Sequence, residues 1–121
     1  HDQKAINCVK KAIEIVKPDA YVDLGDTGEW ELFSNHHWRK YDKPPDDLLI
    51  PMLDKSVKQV NKGMDQIDEV LDKVGCKERY FMQGNHEEWL DTYARKHCRP
   101  RFLTQNALRL KERGYEFQTW A

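Results

Sequence analysis

Two short stretches combine a glycine with residues able to bind cations and move protons: Gly25-Asp26-Thr27-Gly28-Glu29 and Gly84-Asn85-His86-Glu87. Each follows a run with strand character, Ala20 to Leu24 and Arg79 to Met82. A glycine at a strand end lets the backbone turn sharply and brings the next side chain to the rim of a sheet. A carboxylate at one rim, with an amide and an imidazole at the neighbouring rim, can converge on a divalent metal ion. Phosphoester hydrolysis uses such an ion to neutralise phosphate charge, lower the pKa of a bound water and fix an in-line attack. Singly, each stretch has a plainer reading. Gly25-Asp26 can be a strand end with a capping aspartate. Gly84-Asn85 can be a turn with Asn85 left-handed and His86 opening a helix. Their joint occurrence, each closing a strand in helix–strand–helix order, favours the site.

The elements that must position these residues are legible from periodicity. Ile6, Val9, Ile13 and Val16 share one face of a first helix, capped by Asp2 and ended by Pro18. The strand Ala20 to Leu24 then runs into Gly25, a layout that suggests a layered sheet with ligands at the C-terminal ends of its strands. Trp30 to Ile50 reads as an irregular excursion, long enough to be a substrate-facing loop. Leu53, Val57, Val60, Met64, Ile67, Leu71 and Val74 mark the longest helix, with Pro51 in its first turn and Gly75 beyond its end. That stripe fits a core-facing helix better than a coiled-coil seam, because it covers barely three heptads. A second strand, 79–82, leads to a helix from about Glu87 to His97 that turns Trp89, Leu90 and Tyr93 inward. Asn106 to Arg113 reads as a weak helix, and Tyr115 to Trp120 alternates like a strand.

Other ligand-type residues carry less. Adjacent His36 and His37 would point to opposite faces of a strand; in a loop either can contact substrate. Arg95, Lys96, His97, Arg99 and Arg101 close a helix that opens with Glu87 and Glu88, the order the helix dipole favours. Cys8, Cys76 and Cys98 are odd in number and widely spaced, as expected for reduced thiols in a cytoplasmic protein rather than a disulfide framework. The chain has 121 residues, enough for one domain, with 20 basic and 21 acidic side chains. That near-balance gives no bulk charge for nonspecific nucleic-acid binding, and no apolar run is long enough to cross a bilayer.

Gly25-Asp26 followed by Gly84-Asn85-His86-Glu87 resembles the second and third blocks of the calcineurin-like metallophosphoesterases. In that family the blocks run D-x-H, G-D-x-x-D, G-N-H-[DE], a later histidine and G-H-x-H. Ser34 to Asp42, with its Tyr41-Asp42-Lys43 run, is also similar to phosphoesterases of phage and bacterial genomes. The resemblance extends over roughly Asp2 to Tyr93. It implies an α/β fold, part of an α/β/β/α sandwich with mixed sheets, with residues 1–121 a domain truncated at both ends. It implies two divalent ions (Mn, Fe or Zn), Asp26 as the carboxylate bridging them and Asn85 as a ligand to the second. His86 would protonate the leaving group or stabilise the transition state, and Glu29, standing where the family has aspartate, would orient His86. The D-x-H block, the later histidine and G-H-x-H have no counterpart; His1 falls in the loop after the first of these. The implied activity is hydrolysis of a phosphomonoester or phosphodiester, including nucleotide or nucleic-acid substrates, with no membrane partner. The isolated chain is expected to be inactive. The alternative is a degenerate, non-catalytic module that binds a protein or nucleic acid.

Overall fold

The computed structural model describes residues 2–30 and 45–119. The expectations for His1, His36, His37, Trp120 and the Ser34–Asp42 stretch lie outside these residues. Helix α1 spans Gln3–Val16; the Asp2 carboxylate accepts from the Lys4 amide at 2.9 Å, and Lys17, at φ 50°, closes it. Ile6 and Ile13 are buried, but Val9 and Val16 are 40% and 70% exposed. The expected four-residue stripe is therefore only half used. Helix α1 packs against α2 (Asp46–Lys73), and the two valines lie roughly 40–80° round the helix from Ile6 and Ile13.

Helix α2 begins earlier than its apolar stripe suggested. Asp46 and Asp47 occupy its first turn, where negative charge suits the dipole. Pro51 therefore sits inside the helix, not in its first turn. It leaves one carbonyl of the preceding turn without its amide. Leu49 and Leu53, at 0% and 1% exposure, anchor the helix on either side of that gap. Leu53, Val60, Met64 and Leu71 face the interior, as expected of a core helix. Gly75, at φ 76°, follows the last turn in the left-handed conformation that ends many helices.

Strands β1 (Ala20–Asp23), β2 (Glu78–Met82) and β3 (Tyr115–Gln118) form one sheet in the order β1-β2-β3, parallel throughout. The described sheet is thus not the mixed sheet expected. Two long connections explain this: α2 links β1 to β2, and α3 (Asn85–Lys96) with its following turns links β2 to β3. Such crossovers return the chain in the same direction. Phe81 on the central strand is fully buried among Leu53, Leu90, Phe102, Leu108 and Leu110. A 3₁₀ turn at Pro100–Phe102 leads to a short α4 (Thr104–Ala107), and the expected helix Asn106–Arg113 gives way after Ala107 to turns up to Gly114. Leu108 and Leu110 are both buried, which a helix cannot achieve on one face at that spacing. Arg109, at φ 52°, breaks the run between them.

A buried polar tie joins α2 to the sheet. Asp68 accepts from the Tyr115 hydroxyl at 2.7 Å and the Arg113 guanidinium at 2.8 Å, with Arg79 at 3.7 Å. Burial and then the bond to Asp68 hold the Tyr115 phenol far above its ordinary value. Burial, Asp23 and Asp68 push neighbouring Tyr21 up to about 12. No described helix is long and apolar enough to cross a membrane.

Candidate functional site

Pairing of β1 with β2 sets Asp23 beside Phe81, so the loops beginning at Leu24 and Gln83 leave the same edge of the sheet. Their backbones touch. A Cβ on Gly25 would run into the Met82 carbonyl and the Gly84 amide, and one on Gly84 would run into the Asp26 carboxylate. Gly25 also has φ +86°. Neither position has room for a side chain, and the absence of one is what brings Asp26 and Asn85 together at one rim.

Glu87 fastens this contact. Its side chain is fully buried and accepts from the Asp26 amide at 2.7 Å, the Thr27 amide at 2.9 Å and the Gly84 amide at 3.2 Å. Asp26 returns the link: its Oδ1 accepts from the His86 amide at 3.0 Å, in the first turn of α3. Glycine 84 has no side chain to cap α3, so Asp26 supplies that carboxylate from the other loop. The capping box of α3 is thereby divided between segments 60 residues apart. The plainer reading of Asp26, a helix-capping aspartate, has a basis here, although the helix it caps is distant in sequence. Asn85 is the first residue of α3, while Asp26 takes the left-handed conformation at φ 54°.

His86 is half-buried. Its Nδ1 lies 3.2 Å from the Gly28 carbonyl, and its ring stacks on Trp89 at 4.6 Å between centroids and 20° between planes. The orienting partner expected from the resemblance was Glu29. The structure gives the backbone carbonyl one residue earlier, and Glu29 is exposed. The difference is one of reach: the turn at Thr27 and Gly28 already brings the main chain against the imidazole. Trp89 is only half-buried, its ring engaged with His86 as well as the interior.

Asp23, on β1 beneath the rim, accepts from the Gly25 amide at 2.9 Å and the Thr27 hydroxyl at 3.2 Å. Burial raises its carboxyl above the ordinary value; these two bonds oppose the rise, and the charges of Glu87 and Asp68 add to it. A cleft of about 230 Å³ opens beside the loop, lined by Thr27, Gly28, Glu29, Trp30, Ser56, Gln59 and Val60. In the basic stretch, Arg99 and Arg101 pair with Asp46 and Asp54 at 3.1 and 2.7 Å, tying the segment that follows α3 to α2.

Set against known protein families, curated proteins and solved structures, the chain matches none of them.

The rim can be tested against the metal centre implied by the resemblance. Carboxylate, amide and imidazole donors suit Mn, Fe or Zn. The number of donors falls short: no group of three or more His, Cys, Asp and Glu side chains able to hold an ion occurs among the described residues. One Asp26 oxygen is already engaged with His86. The described rim alone does not make a two-metal centre. Glu87, Trp89 and Gly28 are the residues whose roles sequence reasoning missed. Glu87 could have been found, since an acidic residue three positions beyond a helix cap is a capping-box spacing. Nothing in the sequence marked the Trp89 stacking or the Gly28 carbonyl.

Proposed function

We propose that the chain is part of a phosphoester hydrolase of the calcineurin-like metallophosphoesterase type, with the three-stranded sheet belonging to an α/β/β/α sandwich. The observation that carries this reading is the contact of the two strand-end loops, with Asp26 bonded to the His86 amide and Glu87 holding both loops. Asp26 and Asn85 would present oxygen donors towards a divalent ion, and His86 would hand a proton from Nε2 to the leaving oxygen of a phosphomonoester or phosphodiester. The remaining ligands of a two-ion centre would come from outside the described residues. A non-catalytic relative that keeps the loop architecture is the second reading, favoured by the exposed Glu29 and the small donor set.

Titration of Mn²⁺ into the chain, followed by paramagnetic broadening of amide NMR signals, tests the site. Weak binding should broaden Asp26, Thr27, Asn85 and His86 first, and Asp26→Asn should abolish that selectivity. An aryl phosphodiester should not be turned over above background by this chain. Broadening confined to the acidic start of α2, with the rim untouched, would refute the metal site.

A further inference from the structure

The described geometry of His86 goes beyond its assignment as a proton donor. A backbone carbonyl can only accept, so the 3.2 Å contact between Nδ1 and the Gly28 oxygen requires the proton on Nδ1. The other ring nitrogen, Nε2, is then the one left for a substrate or a cation. When His86 is neutral, Nε2 carries a lone pair; when it is charged, Nε2 carries the transferable proton. One further contact restricts the ring, and another crowds its backbone partner. Trp89, one turn along α3 at a spacing of three residues, lies almost parallel to it at 4.6 Å. In the loop that carries Gly28, the Trp30 indole is packed so closely that a Cβ at position 28 would overlap it. Trp30 is itself 3% exposed, so the indole is a buried neighbour of the residue whose carbonyl meets His86.

We infer that Gly28 and Trp89 are positioning residues for His86, holding it as the Nδ1–H tautomer with Nε2 as its reactive nitrogen. This deepens the hydrolase reading and rests on it for the purpose of the imidazole, but the tautomer follows from the contacts alone. The Gly28 carbonyl sets which nitrogen carries the proton, and Trp89 sets the plane of the ring. A carbonyl on the main chain does this without the Glu29 carboxylate, so Glu29→Gln should leave the tautomer unchanged. Trp89 replaced by an aliphatic residue should free the ring to rotate away from Gly28 and lose the bond. A phenyl ring at the same position can still stack.

Long-range ¹H–¹⁵N NMR of the imidazoles in the chain at alkaline pH reads the tautomer directly. The expected result is a pyrrole-type Nδ1 and a pyridine-type Nε2 for His86, with ring protons shifted upfield by the Trp89 face. Trp89→Leu should lose the upfield shift and move His86 towards the Nε2–H form that free imidazoles favour, and Trp89→Phe should restore the Nδ1–H form. A wild-type His86 already in the Nε2–H form would overturn the inference outright, whether or not any variant folds. Retention of the full Nδ1–H population in Trp89→Leu would remove Trp89 from the positioning role. Rim-selective Mn²⁺ broadening together with an Nε2–H imidazole would sink this inference while leaving the hydrolase reading in place. An Nδ1–H imidazole with no broadening at the rim would support the tautomer and count against the hydrolase.

Discussion

Asp23 shows how one residue beneath the rim can be costly in its charged form and still useful. Its carboxyl is raised chiefly by burial, so the folded chain holds that proton more tightly than the unfolded chain, whose value is near 3.8. The favourable contribution is complete below that value and is lost as pH rises through the folded-state value. Asn at this position keeps an oxygen for the Gly25 amide and the Thr27 hydroxyl and carries no charge. The Tm of Asp23→Asn relative to wild type should therefore increase as pH is raised from about 3 to about 7. A Tm difference flat across that range would mean that Asp23 does not titrate differently in the two states. The sequence displayed Asp26, Asn85 and His86 as candidates because residue type and glycine spacing are local. It could not display Asp23 as a half-buried support, since its surroundings depend on how the rest of the chain packs around β1.

Among the elements, the helices were legible where one periodic face meets one partner, and least legible where two constraints compete. The stripe from Leu53 to Leu71 survives intact in α2. The start of α2 does not, because Asp46 and Asp47 open it with charge and Pro51 argues locally for a helix beginning there. The Asn106–Arg113 segment is helix-like in composition, yet it must bury both Leu108 and Leu110, and tertiary packing wins. The link between α2, β2 and β3 was invisible, since Asp68, Arg79 and Arg113 read as surface charges. Removing Asp68 would leave two largely buried guanidinium groups and a tyrosine hydroxyl without their shared acceptor. Arg79 keeps Asp72 and Arg113 keeps Asp65, so the loss is that of the unmet donors, and Asp68→Ala should cost about 1–3 kcal/mol. Breaking the exposed Arg101–Asp54 pair with Arg101→Ala should cost only about 0.2–1 kcal/mol in ion-pair energy. Urea unfolding of both variants makes the comparison; similar losses would contradict the account of the polar tie.

At the scale of the whole molecule, the contacts that hold the two rim loops together join distant parts of the chain. Glu87 lies 61 and 60 residues from the two loop amides it receives. Those amides belong to no strand or helix, yet their protons point at a carboxylate that solvent does not reach. Such protons exchange with deuterium only when the structure opens, and here opening means separating the two loops rather than fraying one of them. The Asp26 and Thr27 amides should therefore exchange as slowly as the interior of β2, orders of magnitude behind neighbouring exposed amides. Glu87→Gln offers one acceptor oxygen in place of two and sets an NH₂ against at least one of the three amides the carboxylate accepts from, at a cost of about 1–3 kcal/mol. It should speed exchange at both loop amides together; acceleration at only one would show that the loops open separately. The two deuterium clocks beside the rim would then run at the rate of the molecule's deepest opening, so a spectroscopist watching a surface loop would in effect be timing the core.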